Sequence, residues 1–284
     1  MRALEEFKKC LLEEEKSKNT IDKYIRDVKH FLEYAGEAEI EPQMVRAYKE
    51  QLLENYKVSS ANSMLIALNH FLRFIGKPEC CVRSCRQQRR IFIEEERELS
   101  RKEYERLVSA AKSEGKHRLY HILQTIAGTG IRIGELKYIT VEALKERRVQ
   151  IHSKGKIRII VLSGAVVQML KEYCRRFKIR AGSIFVTRNG RPVDRRNIWA
   201  EMKALSAKAG ILKSKVFPHN LRHLFAKCFY EKEKDLIRLA DFLGHSSVET
   251  TRRYTMISSM AVCEKQLDLG LLLDGVDWGN KITT

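Results

Sequence analysis

A chain of 284 residues with 44% apolar side chains is too long for one ordinary domain of roughly 100–200 residues, so two are expected. Its 54 Lys and Arg against 36 Asp and Glu leave a net charge of +18, the balance of a protein that meets a polyanion. No apolar run approaches the ~18 residues that span a membrane. Seven scattered cysteines (Cys10, Cys80, Cys81, Cys85, Cys174, Cys228 and Cys263) behind no signal-like start read as reduced thiols in a cytoplasm, not as a disulfide framework.

The charge is unevenly placed. Residues 1–80 carry 13 basic and 14 acidic side chains, whereas residues 81–284 carry 41 and 22. Such an excess repels itself unless phosphates offset it, which points to nucleic acid. Cys80, Cys81 and Cys85 cluster, but no second Cys or His pair follows at zinc-finger spacing, so no metal is expected.

In chain order, the first 76 residues read as four helices. The second carries the stripe Ile21, Tyr24, Ile25, Val28, Phe31 and Leu32, with Asn19 or Thr20 as cap and Gly36 as stop. The fourth has Ser60 as cap, Met64, Leu65, Leu68, Phe71, Leu72 and Ile75 as stripe, and Gly76 as stop. These stripes make a bundle core. Residues 79–98 form a charged linker in which Arg83, Arg86, Arg89 and Arg90 are either a solvated face or phosphate contacts. Ser100 with Glu103 is a capping box that opens the second domain.

There the pattern predicts helices near 101–113 and 117–127, a turn at Gly128-Thr129-Gly130 and a short helix near 133–139. Val149 and Ile151, then Ile157, Ile159 and Val161, alternate with polar residues around Ser153-Lys154-Gly155-Lys156, which is a hairpin pattern. Ile184-Phe185-Val186 is a candidate third strand. From about 194 to 273 the chain reads as consecutive helices punctuated at Gly210, Pro218 and Gly244.

Four motifs follow one another in this half: Thr129-Gly130-Ile131-Arg132-Ile133-Gly134-Glu135-Leu136; the hairpin Ser153-Lys154-Gly155-Lys156; Pro218-His219-Asn220-Leu221-Arg222-His223; and Leu243-Gly244-His245, nine residues before Tyr254 in Arg253-Tyr254-Thr255. A single His-x-x-Arg match means little, but the ordered set is specific. The series resembles the tyrosine recombinase (phage integrase-like) family, and the short two-domain layout is most similar to its Xer-type members. Gly134 stands where the family often has Ser, and Ser153 where it often has Gly. Neither departure falls on a catalytic position.

The resemblance implies a mainly α fold. An all-α N-terminal helical bundle (core-binding, SAM-like; residues 1–78) precedes the linker 79–98. A mostly α catalytic domain with a small antiparallel β-sheet, of the DNA breaking-rejoining enzyme type, then occupies 99–284, and the two domains close as a C-shaped clamp on duplex DNA. It implies Tyr254 as nucleophile, Arg132 and Arg222 on the phosphate, His219 as general base, Lys154 as general acid, His245 as a phosphate hydrogen-bond donor and Glu135 as an orienting carboxylate. Lys156 is the nearest rival of Lys154 and a candidate DNA contact.

The residue types suit that chemistry. A phosphodiester gains charge in its transition state, and a planar, permanently charged guanidinium grips two oxygens. His219 and Arg222 at i, i+3 leave one helix face if Pro218 opens the helix, and His223 is one residue off that face. An imidazole near neutral pKa can take the phenol proton. With 54 basic residues and ten tyrosines, only motif context singles these out.

No cofactor and no metal are expected. The partners are double-stranded DNA and further copies of the chain: a homo-tetramer on two DNA sites, monomer or dimer when free, without a membrane. The apolar tail Met260, Val262, Leu267, Leu269, Leu271, Leu272 and Leu273 packs on its own domain or, the favoured reading, exchanges between subunits. The first helix begins almost at Met1, which points away from an extra arm-binding domain and a large phage-type complex. Two other functions fit less well. A type IB topoisomerase-like nicking enzyme disagrees with the first domain's size and the motif spacing, and a non-catalytic DNA-binding regulator disagrees with the presence of all six expected side chains.

Overall fold

The computed structural model describes residues 2–85, 98–153, 156–245 and 247–252, apart from the side chains of Arg2, His152, Ser153, Lys156, Glu249 and Arg252. The chain divides into two units, residues 1–89 and 90–284.

The first unit is helical. Helices α1 (Arg2–Glu13), α2 (Lys18–Ala35), α3 (Pro42–Asn55) and α4 (Val58–Phe74) precede a 3₁₀ turn at Pro78–Cys80. The predicted stripes supply the core, where Ile21, Val28 and Phe31 of α2 meet Leu65, Leu68, Phe71 and Leu72 of α4. Phe7, Leu11, Val45, Tyr48 and Leu52 complete it. Two predicted caps are corrected. Ser17, with extended backbone, accepts from the Thr20 amide and caps α2, because α1 breaks at Glu15 (φ 55°) and puts Asn19 and Thr20 inside the first turn. Helix α4 starts at Val58 behind Lys57, so Ser60 is also inside its first turn.

Past α4 the chain is strapped to that helix by two asparagine side chains seven residues apart. Asn69 donates to the Val82 carbonyl (2.7 Å) and accepts from its amide (3.0 Å). Asn62 does the same for Cys85, at 2.9 and 2.8 Å. Each carboxamide thereby satisfies a main-chain donor and acceptor as a neighbouring strand would. Arg83 lies on this strap with its side chain exposed.

The second unit is built around α6. Helix α5 (Arg101–Ser113) opens on the predicted capping box, with Ser100 Oγ accepting from the Glu103 amide and the Glu103 carboxylate accepting from the Ser100 amide. Helix α6 (His117–Thr129) is followed by a 3₁₀ turn at Ile133–Tyr138 and by α7 (Val141–Glu146). Strands β1 (Arg148–Ser153) and β2 (Lys156–Val161) pair antiparallel, with Val149 opposite Ile160 and Ile151 opposite Arg158. Helices α8 (Gly164–Arg176), α9 (Arg195–Leu205), α10 (Pro218–Glu233), α11 (Leu236–Leu243) and α12 (Val248–Arg252) complete the described part. Leu119, Ile122, Leu123 and Ile126 of α6 are fully buried among Leu107, Leu170, Ile198, Met202 and Leu221.

Three features differ from the sequence expectation. Helix α6 runs through Gly128 and Thr129, and the chain turns only at Gly130 (φ 63°). The apolar alternation of β2 faces outward: Ile157, Ile159 and Val161 are exposed, while Val149, Ile151 and Ile160 face the core beside Arg158. The segment Ile184-Phe185-Val186 forms isolated bridges in place of a third strand, its neighbour Ser183 to Thr140 and Val186 to Pro192, although Ile184 and Phe185 are buried. Helix α8, capped by Ser163 and burying Val166, Val167, Leu170 and Tyr173, has no counterpart among the elements expected from the sequence.

Candidate active site

Three chain turns meet at the C-terminal end of α11. That helix stops because Gly244 adopts the left-handed conformation (φ 60°, ψ 50°), and the His245 amide folds back to the Ala240 carbonyl at 3.0 Å. The last carbonyls of a helix lack intrahelical donors and carry its partial negative charge, so they attract cations. Here they meet guanidinium groups.

Arg222 enters from the first turns of α10. Phe217 supplies an extended cap and Pro218 the first helical residue, an arrangement that costs no amide hydrogen bond. The Arg222 side chain is only 2% exposed, so its donors need partners. It donates to the Gly130 carbonyl, to the Leu243 carbonyl at 2.7 Å, and to His245 Nε2 at 3.1 Å. A guanidinium only donates, so Nε2 accepts. The neutral imidazole then carries its proton on Nδ1, which donates to Thr251 Oγ1 at 2.8 Å. Thr251 is fully buried.

Arg132 comes from the turn after α6. Gly130 is required there, since a Cβ on it would stand 2.5 Å from Phe225 Cδ1. Arg132 Nη2 reaches the Gly244 carbonyl at 3.3 Å, and Nη1 reaches Glu135 Oε1 at 3.0 Å. Glu135 Oε2 accepts from the Arg132 amide at 2.9 Å. One carboxylate thus holds the backbone and the head group of Arg132, whose side chain stays 45% exposed and able to meet a ligand.

A third guanidinium was missed by sequence reasoning. Arg158, on β2, donates to the Leu243 carbonyl at 2.6 Å, and its Nη2 lies 3.3 Å from Glu135 Oε2. Burial lowers its pKa from the ordinary value; Glu135 opposes that shift and nearby Arg132 adds to it. The available signal was a charged residue set among Ile157, Ile159 and Ile160. Its direction depended on which face of the hairpin packs inward.

Arg132, Glu135, Arg222 and His245, all read from the sequence, are therefore brought together around residues 243–245. His219 is exposed in the first turn of α10, its ring edge-on to that of His223 at 4.6 Å. Lys154, Tyr254, Arg86, Arg89, Arg90 and the apolar tail from Met260 lie outside the described residues, as does the side chain of Lys156. Three guanidiniums with one carboxylate, Glu135, which pairs with Arg132 and Arg158, leave net positive charge at a helix end, an arrangement suited to an oxyanion. Among the described residues there is no cluster of three or more His, Cys, Asp or Glu able to hold a metal ion.

Residues 97–260 match the phage integrase family, and residues 4–77 match the phage integrase N-terminal SAM-like domain. The chain belongs to the phage integrase family and is a tyrosine recombinase enzyme of the site-specific kind. It is 30% identical to tyrosine recombinase XerA of Pyrococcus furiosus over 264 residues, 90% of each chain. It is also 34% identical to tyrosine recombinase XerD of Staphylococcus saprophyticus over 150 residues, half of each chain. A crystal structure of XerA recombinase aligns over 93% of this chain and 96% of its own, with a TM-score of 0.52 and 29% identity. A lambda integrase dimer bound to a COC′ core site covers 98% and 99%, with a TM-score of 0.72 and 17% identity, and so shares the fold. No described helix is long and apolar enough to cross a membrane.

Proposed function

We propose that this recombinase cuts and rejoins duplex DNA by transesterification through Tyr254. The phenol oxygen attacks a backbone phosphorus, a phosphorus–tyrosine oxygen bond forms, and the bond to the 5′ oxygen breaks. The product is a 3′-phosphotyrosyl enzyme and a free 5′-hydroxyl. His219 takes the phenol proton, and Lys154 gives one to the departing 5′ oxygen. Arg132 and Arg222 hold the non-bridging oxygens as charge accumulates, each worth about 2.7–4 kcal/mol of transition-state stabilisation if it acts like other well-placed donors. His245, whose Nε2 accepts from Arg222 in the DNA-free protein, adds a hydrogen bond to the phosphate once Nε2 takes up a proton, and Glu135 orients Arg132. Attack by another strand's 5′-hydroxyl reverses the chemistry, so a Holliday junction forms and resolves without ATP or metal.

The observation that carries this reading is the convergence of Arg132, Arg222 and His245 on the 243–245 turn, because the guanidiniums gathered there carry more positive charge than the nearby carboxylate, Glu135, offsets. Residues 1–78 serve as the core-binding domain, 79–98 as linker and 99–284 as the catalytic domain. Arg83, Arg86, Arg89, Arg90 and Lys156 contact DNA phosphates. Four protomers act on two DNA sites, the free protein being monomer or dimer, and the apolar tail exchanges between subunits. The protein works in the cytoplasm, in chromosome or plasmid dimer resolution or in mobile-element integration and excision.

The test is covalent trapping. Duplex sites are selected from random-sequence DNA by binding to this protein, then rebuilt as nicked suicide substrates and resolved on denaturing gels. Wild type is expected to give a DNA-linked species that Tyr254→Phe lacks. An adduct that persists in Y254F removes Tyr254 as the nucleophile, and no adduct from either protein on bound sites removes the reaction.

A further inference from the structure

Two anchors hold the candidate phosphate-binding arginines, and one further side chain touches both. The Leu243 carbonyl holds Arg222 at 2.7 Å and Arg158 at 2.6 Å. Glu135 holds Arg132 at 3.0 Å and lies 3.3 Å from Arg158. Arg158 is only 12% exposed. Its Nε is buried and has no hydrogen-bond partner among the described residues, and its Nη2, though in ion-pair range of Glu135, is off the line of a hydrogen bond. A guanidinium kept in this state has given up hydration that a neutral side chain in its place would never need. Its stem also runs against Gly244, where a Cβ would stand 2.1 Å from Arg158 Cδ.

We infer that Arg158 is a positioning residue for strand cleavage: it shares Glu135 with Arg132 and the Leu243 carbonyl with Arg222, so that Glu135 steadies Arg132 without neutralising it. The inference rests on the recombinase reading above. When Arg158 is present, one carboxylate is divided between two cations, and Arg132 retains charge for a phosphate. When its charge is removed, Glu135 belongs to Arg132 alone and holds that guanidinium back. Arg158 acts through Glu135 and the Leu243 carbonyl and not by touching the DNA.

The experiment uses the full-length protein and nicked suicide duplexes carrying sites selected by binding to it. DNA affinity, single-turnover cleavage rate constant and cleavage amplitude are measured for wild type, Arg158→Met, Arg158→Lys and the double variant R158M/E135Q. R158M is expected to keep its affinity within about twofold and to cleave about 10–100-fold more slowly at full amplitude, as small misplacements of reacting groups do. R158M/E135Q is expected to recover several-fold over R158M (roughly the effect of freeing Arg132) because the carboxylate that captured Arg132 is now neutral. A merely structural role predicts the opposite, with lost amplitude at an unchanged rate constant and a double variant worse than the single one, and either result overturns the inference. R158K keeps a charge beside Glu135 and is expected to cleave within about threefold of wild type; if R158M does not fold, a folded R158K that still cleaves about 10-fold or more slowly sinks the idea, because a second cation would then not free Arg132. A wild type that binds DNA but forms no adduct defeats the recombinase reading and this inference with it, an outcome distinct from wild type and R158M cleaving alike.

Discussion

Replacing Gly244 by alanine separates two costs that the structure allows to be measured apart. The first is backbone strain, because an L-residue in the left-handed region loses about 1–2 kcal/mol. The second is steric: the new methyl would stand 2.1 Å from Arg158 Cδ and 2.9 Å from Nε, so Arg158 must leave its seat and give up its hydrogen bond to Leu243. A hydrogen bond from a charged group contributes about 1.5–3 kcal/mol. Gly210 is the matched control, with φ 61° against 60° and nothing within 4 Å of its would-be Cβ. Gly210→Ala should therefore cost about 1–2 kcal/mol, and Gly244→Ala about 1.5–3 kcal/mol more. Both tryptophans, Trp199 and Trp278, fall in the second unit, so tryptophan fluorescence during urea unfolding reports that unit without interference from the first. Equal losses in the two variants would mean that Arg158 is not wedged against Gly244 as described, and the steric argument would fail.

Glu103 binds Lys215 at 3.0 Å with both side chains largely buried. Burial raises the carboxyl pKa, but donors from the Ser100 amide and Lys215 outweigh it and set it below its ordinary value of 4.5. The stability it supplies is therefore full above that value and is lost as pH falls through the lower folded one. Glu103→Gln, which keeps the reciprocal cap, should destabilise the second unit by about 1–3 kcal/mol at neutral pH; urea midpoints of variant and wild type should converge below pH 4.5, and a gap that persists there refutes the ion-pair account. Asn69→Ala removes both hydrogen bonds to Val82, and the Val82 amide should exchange with deuterium at least tenfold faster, about the effect of losing 1.4 kcal/mol; unchanged protection would show that something else holds the strap. Thr251→Val deletes the acceptor of His245 Nδ1 at nearly constant volume, and cleavage should slow about 10-fold with DNA affinity retained; an unchanged rate would mean that the ring keeps its orientation without Thr251.

Features set by neighbours along the chain were legible in the residues themselves. Ser100 and Glu103 cap α5 because both partners of the reciprocal bond lie within one turn, and Pro218 opens α10 because its fixed φ and missing amide suit only that position. The bundle stripes and the order of the motifs were local as well, and they carried the family and the fold class. Where two local choices were nearly equal, packing decided: Ser17 took the α2 cap from Asn19 and Thr20, and buried Ile184 and Phe185 joined the core without a strand partner.

The phase of β2 lay beyond any local rule. Ile157, Ile159 and Val161 form the more apolar row, yet Arg158 and Ile160 face inward. The core-facing position of Arg158 has a helix end, with Leu243 and Glu135, opposite it. The sequence by itself determined which elements form and which residue types are available for phosphate chemistry. Only the tertiary structure decided that the carbonyls ending α11 would be the common anchor of three arginines more than twenty residues apart, because a main-chain acceptor has no signature in the sequence and acquires its partners solely from what folds against it.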